Sequence, residues 1–161
     1  MRLNYRIGIG YDIHRLEDNR NLIIGGIKIP YEKGLYGHSD ADVLVHAIID
    51  SLLGALELPD IGTLFPDTDP KYQNANSIEL LKNVYSKIKS NGYLINNLDT
   101  NIIAQAPKMM SYIPQMKNVL AHVLETDIEN ISIKAKTKEL ESAHMDQPTI
   151  QKENRDGLFS V

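Results

Sequence analysis

The sequence predicts one α+β domain, an α/β sandwich in which a mixed β-sheet carries helices packed on one face. Three observations support this fold class. Segments with two-residue alternation and segments with helical periodicity follow one another along the chain. No internal repeat, linker or low-complexity tract divides it, and 161 residues are enough for one well-buried core.

The first part of the chain is predicted to form a strand and a hairpin. Residues 5–14 alternate and are rich in β-branched and aromatic side chains, which favours a strand. Residues 22–24 and 27–29 are short apolar runs that flank a Gly-Gly pair, which is typical of a hairpin turn. Residues 30–37 are predicted to be a loop.

Helices and strands then alternate to residue 135. Residues 39–42 resemble a capping box, which predicts a helix running to about Glu57. Residues 60–76 are rich in aspartate, proline and glycine and are predicted to be a long loop, a feature that is often functional. The remaining predicted elements are a helix at 77–90, a strand at 93–105, a helix at 111–124 and a strand at 131–135.

Composition excludes several classes of protein. The formal charge is −4 without a basic stripe, which argues against a nucleic-acid partner. The chain has no cysteine, so any metal must be held by His, Asp and Glu. No segment has the length of a membrane span or the pattern of a signal peptide, and we therefore expect a cytoplasmic protein without membrane contacts.

One carboxylate and two imidazoles are candidate zinc ligands. Asp12 and His14 lie two residues apart on a predicted strand, so both side chains should point to the same face. His46 lies in the next helix, and Asp42, one turn earlier, is expected to steady its imidazole. Three such ligands leave an open fourth position, as in catalytic zinc sites. The alternative is a hydrogen bond at a strand end, with His46 as a structural histidine.

His38 and Ser39 precede the same predicted helix. Free N–H groups at a helix N-terminus favour an anion, and both side chains are able to donate to phosphate oxygens. Ser39 alone is better explained as a helix cap. His38 has no capping role, and its position favours function.

Three later segments carry candidate ligand groups. The aspartates of residues 60–69 are able to accept hydrogen bonds from a polyol, but turns use the same residues. Residues 104–110 form a rigid segment that suits a planar base, with Lys108 near a phosphate. The alternative is that this segment is a simple connection between a strand and a helix. Thr137 and Glu139 suit a phosphate and a magnesium or manganese ion, although a lysine-rich run is usually a solvated surface.

Five segments together resemble the 2-C-methyl-D-erythritol 2,4-cyclodiphosphate synthase family. They are GIGYDIHRL from Gly8, IIGGIKIP from Ile23, GHSDADVLVHAIIDSLLGAL from Gly37, DIGTLFPDTDP from Asp60 and IIAQAPKM from Ile102. The resemblance implies cyclisation of 4-diphosphocytidyl-2-C-methyl-D-erythritol 2-phosphate, with release of CMP, in the non-mevalonate isoprenoid pathway. It also implies a homotrimer with each active site at a subunit interface.

The resemblance implies roles for individual residues. The implied metal ligands are Asp12, His14 and His46 for one zinc ion per subunit, and Glu139 for magnesium or manganese. The implied catalytic residues are His38 and Thr137. The implied substrate-binding residues surround a methylerythritol phosphate and a cytidine diphosphate, and they are Asp12, Ile13, His14, His38, Ser39, Asp60, Ile61, Gly62, Phe65, Pro66, Asp67, Thr68, Asp69, Ala104, Gln105, Ala106, Pro107, Lys108, Met109, Met110, Ala135, Lys136 and Thr137.

The chain departs from the family pattern after Glu139. Lysines flank Thr137 where the family has further threonines, and residues 140–154 are polar and loop-like in place of a glycine-rich turn. The chain ends at Val161, short of the terminal apolar strand that the family completes. We therefore expect one catalytic domain at 1–161 with an atypical tail at 140–161.

Two other functions are open at this point. A zinc-dependent phosphodiesterase would deliver hydroxide to the same phosphates and release a linear product. A weakly active or inactive trimer would bind nucleotide or isoprenoid phosphates, and the altered tail is the feature that favours it.

Overall fold

The structure, a computed structural model, describes residues 5–137 and 158–160, which form a mixed β-sheet, a separate hairpin and helices packed against the sheet. The strands are β1 (Ile13–Asp18), β2 (Leu22–Ile24), β3 (Ile27–Ile29), β4 (Lys33–Leu35), β5 (Leu98–Ile103), β6 (Ile131–Lys136) and β7 (Leu158–Ser160). The α-helices are α1 (Val43–Ala55), α2 (Ile61–Leu64), α3 (Ser77–Ser90) and α4 (Ile113–Val123).

The main sheet has the strand order β4-β1-β7-β5-β6. Strands β5 and β6 are parallel, and the other pairs are antiparallel. One row of residues crosses four of the strands, in the order Ile13, Ser160, Ile103 and Lys136. The predicted mixed sheet and α+β class are confirmed.

One face of the sheet is buried. In β5, Thr100 and Ile102 are buried while Asp99 and Asn101 are exposed, and β6 alternates in the same way at its start. Helix α1 contacts β7 and α4 contacts β6. This alternation agrees with helices packed on one face, because a strand points successive side chains to opposite faces.

The predicted hairpin is confirmed by β2 and β3, which pair directly. Its two central residues, Gly25 and Gly26, have φ values of +59° and +74°. Both angles lie in the left-handed region that glycine adopts without a steric penalty, as a two-residue hairpin turn of this kind requires.

Two predictions for the first part of the chain are wrong. The strand predicted at 5–14 begins only at Ile13, because residues 5–12 lie along helix α1 and have no strand partner among the described residues. The loop predicted at 30–37 contains β4, which pairs with β1. The sequence KGL gave no strand signal, and pairing with the longer β1 forms this strand.

Other element boundaries move by a few residues. Helix α1 begins after Asp42 rather than at Ser39, and the long loop at 60–76 contains α2 and a short 3-10 helix. The strand predicted at 93–105 is limited to β5, whereas α3 has the predicted bounds. Strand β7 supplies a final strand where the sequence predicted none.

Two glycines allow residues 5–12 to lie directly on α1. A Cβ atom added to Gly10 would lie 1.8 Å from the carbonyl oxygen of Ala47, and one added to Gly8 would lie 1.7 Å from that of Ser51. Neither contact is possible for a real side chain, so this segment and α1 meet backbone to backbone. The packing depends on glycine at both positions.

We predict that Gly10→Val lowers the free energy of unfolding by about 3 kcal/mol or more, because the added atoms meet a helix backbone that cannot yield. Urea unfolding measures the change. The matched control is Gly54→Ala in helix α1, against which Gly10 packs. A Cβ atom added to Gly54 meets nothing closer than the carbonyl oxygen of Ile9 at 4.0 Å. That control should stabilise the helix by about 1 kcal/mol. Equal stability of Gly10→Val and the parent would contradict the packing.

Candidate metal centre

Asp12, His14 and His46 converge on one point. Their nearest ligand atoms all lie within 4.8 Å of one another. Asp12 Oδ2 lies 3.0 Å from His14 Nε2 and 3.0 Å from His46 Nδ1. The predicted convergence is confirmed, although only His14 belongs to β1 and Asp12 precedes that strand.

The ring of His14 is held with Nε2 available to a metal. Its Nδ1 lies 2.6 Å from the carbonyl oxygen of Tyr36, and a carbonyl only accepts, so Nδ1 carries the proton. The Nε2 atom is buried without a hydrogen-bond partner in the described part of the chain, although it lies near the Asp12 carboxylate. An unpartnered buried nitrogen beside a carboxylate fits a metal ligand, because buried polar atoms are otherwise satisfied.

The ring of His46 is held from its opposite side. Nε2 lies 2.8 Å from the hydroxyl of Ser77 and 3.2 Å from that of Ser39, while Nδ1 faces Asp12. The two imidazoles therefore present different nitrogens, Nε2 of His14 and Nδ1 of His46, to the same carboxylate. Ser77 follows a helix-capping asparagine in the sequence, and nothing in that pattern indicates a role beside a histidine 31 residues away.

The charges of the cluster suit a cation. Burial raises the pKa of Asp12, but the nearby His14 and His46 outweigh it and hold that pKa well below its usual range. Burial lowers the pKa of His14, but the Asp12 carboxylate outweighs it and raises that pKa. Asp12 is thus ionised at neutral pH and the imidazoles lie in its field, as expected where a divalent ion replaces protons between ligands.

The prediction that Asp42 steadies His46 is wrong. Asp42 is fully buried, and its carboxylate accepts from the N–H groups of Val45 at 3.1 Å, Gly25 at 2.9 Å and Gly26 at 2.6 Å. Asp42 therefore caps α1 and fastens the hairpin turn to it. The carboxylate takes the N–H of Val45 at this helix end, and the anion site at His38 and Ser39 stays a prediction.

His38 and Ser39 lie beside the cluster of Asp12, His14 and His46. Arg20 donates to the carbonyl oxygens of Gly37 and Ser39, both at 2.9 Å, and the carbonyl of His38 accepts from Asn74 at 2.8 Å. The backbone of this loop is fixed on both sides while the side chain of His38 is exposed. The loop presents His38 to solvent at the edge of the cluster.

The loop at 60–69 is joined to α1 by Asp50. Asp50 lies one helical turn after His46 in α1, and its carboxylate accepts from the N–H of Ile61 at 2.8 Å. Burial raises the pKa of Asp50. Asp60 and Asp69 each cap a short helix, as the turn interpretation predicts. The sequence alone gave no signal for Asp50, a single acidic residue within a predicted helix.

The second group of predicted residues lies at the ends of β5 and β6. Ile102 and Ile103 pair with Ala135 and Lys136, and the N–H of Ala104 donates to the carbonyl of Lys136 at 3.0 Å. The segment 104–110 therefore begins beside Lys136, and the cradle formed with residues 135–137 stays a prediction. Lys108, Met110 and Thr137 are exposed. Glu139 lies outside the described residues.

One chain does not bring the two groups of residues together. In the row that crosses the sheet, Ile13 beside the metal ligands and Lys136 beside the second group are separated by β7 and β5. Three strand spacings amount to roughly 14 Å.

Among the described residues, no helix combines the length and the apolar character needed to cross a membrane.

The fold agrees with comparisons to known proteins. A family model described as the YgbB family matches residues 5–151. A 2-C-methyl-D-erythritol 2,4-cyclodiphosphate synthase of Clostridioides difficile (strain 630) is 60% identical over 134 residues, 83% of each chain. A solved 2C-methyl-D-erythritol-2,4-cyclodiphosphate synthase in a CDP-bound form is 30% identical, with a TM-score of 0.80 over 96% of this chain and 95% of that one. An IspF–CDP complex from Plasmodium falciparum is 40% identical, with a TM-score of 0.71 over 82% and 81% of the two chains.

The chain belongs to the YgbB family. The relatives that it matches within the family are 2-C-methyl-D-erythritol 2,4-cyclodiphosphate synthases, which are lyases of isoprenoid biosynthesis. The function predicted from the sequence is confirmed.

We predict that Asp42→Ala lowers the free energy of unfolding by about 2–4 kcal/mol, because it removes a helix cap and leaves buried N–H groups without partners. Urea unfolding of the metal-free protein measures this change. The matched control is Asn76→Ala, which removes the cap of α3 and its single bond to Ile78. It should cost only about 1 kcal/mol. Equal losses in the two variants would contradict the role of Asp42 in holding the hairpin.

Proposed function

We propose that Asp12, His14 and His46 hold one zinc ion per subunit for the cyclisation of 4-diphosphocytidyl-2-C-methyl-D-erythritol 2-phosphate. The observation that carries this proposal is the convergence of three ligand atoms within 4.8 Å, one of them an unpartnered buried nitrogen. Two imidazoles and one carboxylate suit zinc and leave one coordination position for substrate.

The reaction requires no protein nucleophile. The 2-phosphate oxygen of the substrate attacks the β-phosphorus, the bond from that phosphorus to the CMP oxygen breaks, and the products are the cyclic diphosphate and CMP. A bound divalent ion offsets the repulsion between the two phosphates that must meet. The chain contributes orientation, because an in-line approach of fixed groups removes much of the entropic barrier.

Residues beside the metal ligands contribute the methylerythritol half of the proposed site. The exposed side chain of His38 lies on a loop whose backbone is fixed by Arg20. This fixed position suits His38 as a hydrogen-bond donor to a phosphate in the transition state. The loop at 60–69 is fastened to α1 through Asp50, which supports a place for it around the polyol.

The ends of β5 and β6 contribute the cytidine half. The segment 104–110 begins at Ala104, which is hydrogen-bonded to Lys136, and this supports a main-chain cradle for the base with Lys108 and Thr137 near the diphosphate. The CDP-bound relatives are consistent with such a site. A second divalent ion, magnesium or manganese at Glu139, stays a prediction outside the described residues.

We propose that the two halves meet in a homotrimer, each site being formed between neighbouring subunits. The separation of roughly 14 Å within one chain supports this, because a methylerythritol phosphate and its cytidine diphosphate must contact both groups at once. A row of exposed apolar side chains supports it further. Its members, with their exposed fractions, are Tyr5 (70%), Ile7 (93%), Ile9 (91%), Tyr11 (63%) and Ile13 (45%). Contiguous exposed apolar residues are typical of a protein–protein interface.

We predict that His46→Ala loses zinc and releases no detectable CMP, because two remaining ligands cannot form a catalytic zinc site. Elemental analysis of the purified protein and a single-turnover assay with magnesium measure both effects. The control is His122→Ala, which removes an exposed histidine at the end of α4 and should keep zinc and activity. Turnover of His46→Ala at the parent rate would refute the zinc assignment, and a linear product from the parent would indicate a phosphodiesterase.

We predict that Ile9→Asp converts the trimer to monomers and lowers the rate of CMP release by at least about a hundredfold, because a charge in an apolar interface is costly. Light scattering after gel filtration measures the mass. The matched control is Leu94→Asp, which changes an equally apolar residue that is 75% exposed outside the row. A trimeric Ile9→Asp protein would contradict this interface.

A further inference from the structure

A line of polar groups extends behind His46, away from the proposed metal. His46 Nε2 contacts the hydroxyl of Ser77 at 2.8 Å, and that hydroxyl donates a short hydrogen bond to Asp40 Oδ1. Asp40 Oδ2 also accepts from the N–H of Ser77 at 2.9 Å. Ser77 is fully buried, so its hydroxyl has no solvent to satisfy it. The three residues come from α1, the start of α3 and the loop before α1.

The direction of these hydrogen bonds follows from what each group carries. The Asp40 carboxylate only accepts, so the single hydroxyl proton of Ser77 is directed to it. The Ser77 oxygen then has only lone pairs to offer His46 and accepts from its Nε2–H. The proton of His46 is therefore fixed on Nε2, and the lone pair of a neutral ring stands on Nδ1, the atom that faces Asp12.

The hydroxyl of Ser77 does not cap its own helix. The cap of α3 is Asn76, whose side chain accepts from the N–H of Ile78 at 2.9 Å. Ser39 also contacts His46 Nε2, but at 3.2 Å, and its hydroxyl oxygen accepts from the N–H of Ala41. Ser77 thus makes the closer contact and links His46 to the half-buried Asp40 carboxylate.

We propose that Ser77 and Asp40 are positioning residues that fix the tautomer of His46 and so present Nδ1 to the metal. This inference rests on the proposed zinc centre. Ser77 then plays for His46 the part that the Tyr36 carbonyl plays for His14. The carbonyl fixes the proton of His14 on Nδ1, whereas Ser77 fixes the proton of His46 on Nε2. Groups that hold the second nitrogen of a ligating histidine raise its basicity and set the plane of its ring.

The test is the zinc affinity of Ser77→Ala in the full-length protein, measured by competition with a chromophoric chelator. Removing a group that orients a metal ligand weakens binding by about 10–100-fold, and we expect a loss in that range. The matched control is Ser90→Ala, at the other end of α3, whose hydroxyl donates only to the carbonyl of Lys87. That control should bind zinc like the parent. Ser77→Thr retains the hydroxyl and should restore affinity toward that of the parent.

A second readout reports the proton directly. In zinc-loaded protein labelled with ¹⁵N-histidine, the Nε2 proton of His46 should exchange slowly with solvent in the parent and in Ser90→Ala, and faster in Ser77→Ala. A merely structural role of Ser77 would leave this proton protected. Asp40→Asn provides the same test if Ser77→Ala does not fold. The amide oxygen accepts from the N–H of Ser77, and the amide N–H group then donates to the Ser77 hydroxyl oxygen. The hydroxyl proton is thereby directed to His46 Nε2 and no longer to residue 40.

The outcomes separate this inference from the zinc centre itself. Parent affinity and a slowly exchanging proton in both Ser77→Ala and Asp40→Asn, with no zinc bound by His46→Ala, would overturn the positioning role and leave the metal centre intact. Parent zinc affinity in His46→Ala would overturn both.

Discussion

The backbone contact between residues 5–12 and helix α1 is the constraint on which the metal cluster depends. Gly10 lies against the carbonyl of Ala47 and Gly8 against that of Ser51, so the segment runs antiparallel to the helix at the closest approach two backbones allow. Continuing the same alternation by two residues brings Asp12 to His46, one helical position before Ala47. A side chain at either glycine would push this segment outwards and separate the carboxylate from the imidazole.

Charge explains why the cluster is built around one aspartate. A partly buried carboxylate is unfavourable without a positive charge beside it, and the ring nitrogens that face Asp12 belong to two histidines whose opposite nitrogens are held by Tyr36 and Ser77. Such rings cannot turn away from Asp12 without losing those contacts. The lone pairs and the negative charge therefore face each other across a point that a divalent cation fills better than protons do.

The sequence predicted the elements with strong periodicity and the convergence of Asp12, His14 and His46. It was wrong where tertiary contacts decide. Helix α3 has its predicted bounds because its pattern and its caps agree. Strand β4 has no local signal and exists through pairing with β1. Asp42 was misassigned because residues four apart on a helix share a face, whereas its carboxylate is taken by a hairpin distant in sequence. Asp50 and Ser77 gave no signal, since a polar residue in a helix acquires a role only from what packs against it.

The alternation of residues 7–14 links the chemistry to the proposed assembly. The even-numbered positions 8, 10, 12 and 14 face α1 and carry the two glycines and two members of the metal cluster. The odd-numbered positions carry large apolar side chains that stand exposed. A shift of one residue in this segment would exchange the two sets and destroy both the centre and the apolar row. In the proposed trimer, burial of the odd positions by neighbouring subunits therefore holds Asp12 and His14 in place, and formation of a complete site and assembly of the subunits become one event.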